Sequence, residues 1–301
     1  MFEDKVIKNH FASESVVEGL LKFKTVGVIE HDAGYGFSRM VVPVGVILAL
    51  TPVTNPTSTV LYKSLMALKT RNSIIIAPHP SAAKCSVAAA EIIKAAAEKA
   101  GAPTDCVQVL HNYSRQDVET LMTSKDIGLI WATGGNAMVV AAMKSGRPCI
   151  TGGAGNVPAV VDETADMPEA ASQILLSKAF DNGMICASEN SVVVVGTDAR
   201  YRAFKTELAK RGGIILTRPQ ADQVRNIILG ANGLVNADIV GKSAQEIGAM
   251  AGVKVDADTR ALIAEVEAVG ESEPWSHEKL SPLLAYAPLS FVSWVASKLM
   301  I

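Results

Sequence analysis

The fold is decided by residues 44–77, VGVILALTPVTNPTSTVLYKSLMALKTRNSIIIA, in which two apolar runs flank a stretch with helical spacing. The runs at 44–51 and 73–77 are rich in β-branched residues and bounded by turn formers, which is typical of buried strands. Between them, an Asn-Pro entry and the apolar spacing over 57–69 predict a helix. A strand, a helix and a second strand in this order predict a right-handed crossover and a parallel sheet.

The same alternation continues along the chain and predicts an α/β protein. Further strands are predicted at 107–111, 127–132, 149–151, 159–162 and 191–195. Further helices are predicted at 82–100, 114–123, 136–144, 167–180, 201–211, 220–229, 244–251 and 256–263. Asn182-Gly183 breaks the pattern after the helix that ends at Phe180, so we predict two domains, 1–178 and 179–301.

Composition narrows the function classes. The 301 residues include 28 Lys+Arg and 30 Asp+Glu, a net charge of -2, so no excess of charge favours nucleic acid or an anionic membrane surface. The cysteines have neither metal-ligand spacing nor the pattern of a small disulfide-bonded domain. We therefore predict that Cys85, Cys106, Cys149 and Cys186 are reduced thiols and that they bind no metal. Reduced thiols in turn predict a cytoplasmic protein.

The apolar C-terminal stretch, LAYAPLSFVSWVASKLMI at 284–301, superficially resembles a membrane span because its only charge is Lys298. Pro288 and three serines weaken that interpretation. We expect a buried or improperly ended segment and no membrane partner.

Two residues are candidates for covalent chemistry. Cys186 lies between a glycine-containing turn and a predicted strand, near a possible helix N-terminus. A thiol at such a position can be exposed and ionised, as a nucleophile must be. The alternative is that Cys186 is a small buried hydrophobic residue. Asn55 follows a buried strand, so its amide would project from the carboxyl end of a parallel sheet and could donate to an oxyanion. The alternative for Asn55 is a turn former before Pro56.

Two glycine-rich stretches follow predicted strands, Thr133-Gly134-Gly135 and Gly152-Gly153-Ala154-Gly155. Glycines at these positions allow backbone amides to approach a diphosphate at the start of a helix. Neither stretch is the G-x-G-x-x-G fingerprint, and tight turns explain both equally well.

Six ordered blocks resemble the CoA-acylating branch of the aldehyde dehydrogenase superfamily, including the aldehyde domain of bifunctional aldehyde-alcohol dehydrogenases and the acylating acetaldehyde and sulfoacetaldehyde dehydrogenases. The blocks are TNPTS (54–58), APHPSA (77–82), ATGG (132–135), GGAGNVPAVVDETAD (152–166), SKAFDNGMICASENSVVV (177–194) and ESEPWSHEKLSPLLA (271–285). The resemblance implies a Rossmann-type parallel-sheet cofactor domain over 1–178 and an incomplete α/β catalytic domain over 179–301.

By this resemblance Cys186 is the nucleophile, and Asn55 with the backbone amide of Cys186 forms the oxyanion hole. Glu278 matches the glutamate that holds the nicotinamide ribose, and His79 stands where hydrolytic relatives have a lysine that meets the adenine-side ribose. The implied cofactor-binding residues are His79, Ser81, Thr133, Gly134, Gly135, Gly152 and Glu278. The implied cofactor is NAD or NADP, with CoA as cosubstrate and a small aldehyde as substrate.

One departure from the wider superfamily concerns deacylation. Hydrolytic relatives have a glutamate where this chain has Gly152, and that glutamate activates water. Without this base, the resemblance implies that CoA takes the acyl group, so the product is an acyl-CoA and not a free acid. Many NAD-using relatives have an acidic residue where this chain has Ala82, with Lys84 nearby. These two residues would not repel the 2′-phosphate of NADP, so the resemblance does not decide between NAD and NADP.

A second departure concerns the ends of the chain. The family's chain starts before Met1 and continues past Leu284, so we expect a truncated or frameshifted form, with a natural short form as the alternative. The interface of a homo-oligomer would then be compromised. The rival to an acylating oxidoreductase is a catalytically inactive remnant that retains nucleotide binding, and a hydrolytic aldehyde dehydrogenase is disfavoured by Gly152.

Overall fold

The computed structural model describes residues 2–268, 270 and 272–289. The chain divides into two compact units, the first over Phe2–Ala154 and the second beginning at Gly155. This division lies earlier than the predicted boundary after residue 178, because the strand Val157–Val161 pairs in parallel with Glu189–Val195. Residues between the two boundaries therefore belong to the second unit.

The first unit contains a helical N-terminal segment, an antiparallel hairpin and a five-stranded parallel sheet. Its helices are α1 (Phe2–His10), α2 (Val16–Leu21), α3 (Pro56–Lys69), α4 (Ala83–Lys99), α5 (Arg115–Thr123) and α6 (Asn136–Lys144), and a π-helical turn at Phe11–Ser15 joins α1 to α2. Its strands are β1 (Gly27–Asp32), β2 (Phe37–Val41), β3 (Val46–Leu50), β4 (Ser73–Ala77), β5 (Val107–Val109), β6 (Ile127–Thr133) and β7 (Cys149–Gly152).

Strands β1 and β2 form the hairpin, and the parallel sheet has the order β5-β4-β3-β6-β7. Leu48 and Ala49 are both fully buried although they point to opposite faces of β3. Ala49 packs with Val60 of α3, and Leu48 packs with Val118 of α5. Helices thus cover both faces, which explains why these strands are continuous apolar runs in the sequence.

The second unit is built around another five-stranded parallel sheet. Its helices are α7 (Met167–Ala179), α8 (Asp198–Ala209), α9 (Arg218–Ile228) and α10 (Ala244–Ala251), and its described strands are β8 (Val157–Val161), β9 (Glu189–Val195), β10 (Gly213–Ile215), β11 (Ala261–Glu265) and β12 (Leu283–Leu289). The sheet order is β10-β11-β12-β9-β8, and every pairing is parallel. The predicted α/β class is confirmed for both units.

One predicted helix is wrong. Residues 256–263 do not form a helix, because the fully buried run Ala261–Ala264 lies in β11 between β10 and β12. A short apolar run has no periodicity that distinguishes a buried strand from a buried helix.

The first residues of the apolar C-terminal stretch form a strand of the second sheet. Strand β12 takes up Leu283–Leu289 and pairs with β9 and β11, and the rest of the stretch, 290–301, lies outside the described residues. No helix within the described ranges combines the length and the apolar character that a membrane span requires. All four cysteines are free thiols, as predicted.

Candidate active site

In the first unit, the predicted site residues lie along one edge of the sheet. Asn55 follows β3, His79 and Ser81 follow β4, Thr133 is the last residue of β6 and Gly152 is the last residue of β7. These four strands are consecutive neighbours, so their carboxyl ends meet at the edge where open parallel sheets bind ligands. The structure therefore places these residues along the same edge of the sheet.

The two glycine-rich stretches form one surface at this edge. The Gly134 N–H donates to the Gly152 carbonyl at 3.1 Å, and Asn136 Oδ1 accepts the Ala154 N–H at 3.3 Å. Gly135 is the N-cap of α6 and offers no side-chain cap, and residues 135–137 are exposed. The first turn of α6 therefore presents backbone N–H groups that an anion could accept.

His79 has a defined tautomer. Its Nδ1 accepts the Ser81 N–H at 3.2 Å, so the neutral ring carries its proton on Nε2 and can donate from there. Desolvation lowers the pKa of His79, which favours this neutral form. The ring is exposed, so Nε2 can act as a hydrogen-bond donor to a ligand hydroxyl.

Asn55 is more than a turn former. It is the N-cap residue of α3, and its carbonyl accepts the Thr59 N–H at 3.1 Å, yet its side chain makes no capping hydrogen bond. Instead, Oδ1 accepts the Lys8 ammonium at 2.7 Å and Nδ2 donates to Thr54 Oγ1 at 3.3 Å. The amide is thus held by α1 and keeps donor capacity on its nitrogen.

In the second unit, Cys186 is exposed. It lies in a turn closed by the Ser188 N–H and the Ile185 carbonyl at 3.1 Å. The helix N-terminus expected beside it is absent, because β9 and not a helix follows this turn in the described chain. Exposure is therefore the feature of Cys186 that agrees with a nucleophile, and the buried alternative is wrong.

The turn before Cys186 has an unusual backbone. Asp181 and Asn182 have φ angles of 50° and 51°, and Gly183 follows with a φ of 69°. A Cβ atom on Gly183 would lie 2.5 Å from the Ser281 carbonyl oxygen, so only glycine fits there. Strained backbone of this kind persists where the surrounding structure enforces it, often at functional sites.

Gly155 lies next to both the Cys186 backbone and Glu278. Its N–H donates to Glu278 Oε1 at 3.2 Å, and a Cβ atom in its place would lie 2.8 Å from the Cys186 carbonyl oxygen. Cys186 precedes β9 and Glu278 precedes β12, which is its neighbour. The structure therefore brings the predicted nucleophile and the predicted ribose ligand to the amino-terminal edge of one sheet.

A buried lysine lies near these residues. Lys178 of α7 is fully buried, and its ammonium donates to Ser188 Oγ at 3.3 Å. Burial lowers the pKa of Lys178 to about 7 against the opposing charges of Glu189 and Glu278. Burial also raises the pKa of Glu278, although the Gly155 N–H and Lys178 oppose that shift. Sequence reasoning missed Lys178, because a lysine on an amphipathic helix is usually a surface residue.

An open cavity of about 330 Å³ flanks Cys186. Most of its lining is apolar, and it includes the residues on either side of Cys186. The lining residues are Gln173, Leu176, Ser177, Phe180, Ile185 and Ala187. A larger cleft of about 540 Å³ lies beside His277 and Glu278.

These features define an α/β protein with two parallel sheets, in which glycine-rich turns follow the strands of one sheet and an exposed thiol and a carboxylate precede the strands of the other. Residues 14–224 match the Aldehyde dehydrogenase family. The chain belongs to this family, as the six sequence blocks predicted.

Individual relatives agree with this assignment. The chain is 50% identical over 283 residues to the bifunctional aldehyde-alcohol dehydrogenase AdhE of Escherichia coli K12, covering 94% of this chain and 31% of that protein. The crystal structure of an acetylating aldehyde dehydrogenase from Geobacillus thermoglucosidasius matches with a TM-score of 0.92 and 41% identity, covering 95% of this chain and 63% of that one.

A probable aldehyde dehydrogenase from Listeria monocytogenes matches with a TM-score of 0.95 and 44% identity, covering 99% of this chain and 65% of that structure. The chain spans about a third of the length of the aldehyde-alcohol dehydrogenases that it matches.

Proposed function

We propose that the chain carries the chemistry of a CoA-acylating aldehyde dehydrogenase, converting an aldehyde, CoA and NAD(P)+ to an acyl-CoA and NAD(P)H. The observation that carries the proposal is the position of Gly155, which donates to the Glu278 carboxylate and lies against the backbone of the exposed Cys186. The acetylating activity named for the Geobacillus relative agrees with it.

The residues of the chain fit a nicotinamide dinucleotide. The uncapped start of α6, with Thr133, Gly134, Gly135 and Gly152, suits a diphosphate because backbone N–H groups and the helix dipole both favour an anion there. A dinucleotide also carries ribose hydroxyls, for which the His79 Nε2–H is a donor and the Glu278 carboxylate an acceptor. When bound, the nicotinamide accepts a hydride.

Cys186 and Asn55 supply the covalent chemistry in this proposal. The Cys186 thiolate adds to the aldehyde carbon, and the carbonyl oxygen becomes an oxyanion to which the Asn55 amide and the Cys186 N–H donate. Loss of hydride from that carbon leaves a thioester on Cys186. The sulfur of CoA then attacks the thioester carbonyl, the Cys186 thiolate leaves, and the acyl-CoA is released.

Gly152 explains why CoA and not water is the acceptor. Gly152 has no side chain with which to activate water, and water needs a base to become a nucleophile. A thiol has a pKa of about 8.5 and forms some reactive thiolate near neutral pH without a base. The thioester on Cys186 is therefore expected to react with CoA faster than with water.

Two features bear on the substrate and the dinucleotide. The apolar cavity beside Cys186 suits a small aldehyde with an apolar chain better than a charged one. Lys84 lies exposed in the first turn of α4, two residues after the buried Ala82, so this segment adds a positive charge and no carboxylate. We therefore propose that NADP+ is accepted as well as NAD+. The cytoplasmic location and the homo-oligomer stay predictions.

Mass spectrometry after one turnover without CoA tests the proposal. We expect an acyl group that persists on Cys186 in the presence of aldehyde and NAD(P)+ and is discharged by CoA. Cys85→Ala is the matched control because Cys85 is the other exposed cysteine, and only Cys186→Ala should abolish acylation.

Two results would contradict the proposal in different ways. Rapid loss of the acyl group to free acid without CoA would point to a hydrolytic enzyme. An absence of any acyl group would favour the inactive remnant, and calorimetry with NAD+ and NADP+ would then show whether nucleotide binding survives.

A further inference from the structure

Helix α1 presents three polar side chains to the loop at residues 54–57. Lys8 and Asn9 lie three and four residues after Lys5, so both share a face of the helix with it. Lys8 is only 8% exposed although it is a lysine on an N-terminal helix. Side chains of this length are seldom buried unless they have polar partners.

Two of these side chains hold the loop itself. The Lys5 ammonium donates to the Thr54 carbonyl at 2.7 Å, and the Thr57 hydroxyl donates to Asn9 Oδ1 at 2.8 Å. These contacts lie on either side of Asn55 in the sequence. They anchor the loop through the Thr54 carbonyl and the Thr57 side chain and do not involve the Asn55 amide.

Lys8 holds the amide. Its ammonium donates to Asn55 Oδ1 at 2.7 Å. An ammonium is a donor only, so an inverted amide would place its NH2 group against the NH3+ group with no acceptor between them. The Lys8 contact therefore permits a single orientation, with Oδ1 toward α1 and Nδ2 away from the ammonium.

We propose that Lys8 is a positioning residue that fixes the Asn55 amide with its NH2 group available as the oxyanion donor. This inference rests on the proposed function, in which Asn55 donates to the oxyanion. Without Lys8 the amide can invert, and Oδ1 would then face a developing negative charge. The ammonium also polarises the amide from its oxygen side, which strengthens its N–H groups as donors.

Turnover of the full chain tests the role of Lys8 in catalysis. Lys8→Met should lower kcat by about 10- to 100-fold, short of the loss expected when the donor itself is removed. The KM for the aldehyde should stay within about twofold, because an oxyanion contact forms mainly in the transition state. Lys8→Arg restores a donor to Oδ1 and should recover part of kcat.

A double-mutant cycle separates orientation of the amide from anchoring of the loop. Adding Lys8→Met to Asn55→Ala should cost no further kcat, because the amide that Lys8 orients is already gone. Lys5→Met is the matched comparison, since it removes a neighbouring ammonium that donates to a backbone atom of the loop, the Thr54 carbonyl. The fold-loss in kcat caused by Lys5→Met should multiply with the fold-loss caused by Asn55→Ala in the double variant. Multiplying losses for Lys8→Met would overturn the inference.

An NMR measurement decides the contact independently of turnover. In protein labelled with 15N-asparagine, the Asn55 side-chain signal is identified by its loss in Asn55→Ala. It should shift strongly in Lys8→Met and much less in Lys5→Met or Lys8→Arg. An unchanged signal in Lys8→Met would overturn the inference even if the chain is active. A shifted signal in a chain without aldehyde turnover would instead support the Lys8 contact and reject the proposed function.

Discussion

Replacing Lys63 by methionine tests how the strand ends beneath the candidate site are held. Lys63 of α3 is 1% exposed. Its ammonium donates to the Leu50 carbonyl at 2.9 Å and to the Trp131 carbonyl at 2.8 Å, and it lies 5.2 Å from the centre of the Trp131 ring. These carbonyls lie near the ends of β3 and β6, shortly before Asn55 and Thr133. One buried cation therefore joins the two strands that lead into the site.

The magnitude follows from the titration of this lysine. Burial lowers the pKa of Lys63 from 10.5 to about 7. The unfolded chain therefore binds more protons than the folded chain between these two values, and the free energy of unfolding rises with pH across that window. For one lysine with these pKa values the gain between pH 7 and about pH 9.5 is about 3 kcal/mol, and below pH 7 the effect levels off.

Urea unfolding at the two pH values measures this gain. Lys63→Met should lose about 3 kcal/mol of the pH-dependent gain that the wild type shows, because methionine does not titrate. Contributions from other groups are common to both proteins and cancel in the difference. Lys69→Met, at a less buried position of the same helix, should keep the wild-type gain. An equal gain in wild type and Lys63→Met would refute the reasoning.

Three further changes test the site. Asn55→Ala should lower turnover by about 10²- to 10³-fold and leave dinucleotide affinity unchanged by calorimetry, and unchanged turnover would remove Asn55 from the mechanism. Gly155→Ala places a methyl group 2.8 Å from the Cys186 carbonyl oxygen, so we expect a loss of about 1–3 kcal/mol in urea unfolding and slower acylation. Gly19→Ala, which meets no atom within 4 Å, should not destabilise the chain. Lys84→Ala should weaken NADP+ binding about 5-fold or more relative to NAD+, and equal effects on the two affinities would exclude a role in selectivity.

Most of the secondary structure could be predicted because local patterns and tertiary surroundings agree. The predicted bounds of the strand Ser73–Ala77 and the helices Asn136–Lys144 and Ala244–Ala251 match the structure. In each case a turn former or cap residue bounds an apolar run whose length and residue types suit the element. The wrong helix at 256–263 has no such period, and burial inside the sheet decides that part of it becomes a strand.

The first unit's part of the candidate site could be located from strand ends. Asn55 and the glycine-rich turns each follow a predicted parallel strand, and the carboxyl ends of such strands share an edge. His79 and Glu278 were identified from family resemblance alone, and the resemblance also decided between the two interpretations of Cys186. Their geometry required the structure.

The sequence by itself therefore determined the class of fold, the positions of most elements and the residue types that the chemistry needs, because these depend on neighbours a few residues apart. Only the tertiary structure decided which residues act together. Lys8 meets Asn55 across 47 positions, and Gly155 meets Glu278 across 123. The unit boundary at Gly155 likewise follows from strand pairing between β8 and β9. Such contacts form only when strands and helices pack against one another. The local periodicity of the sequence does not specify which distant side chains come within hydrogen-bonding distance.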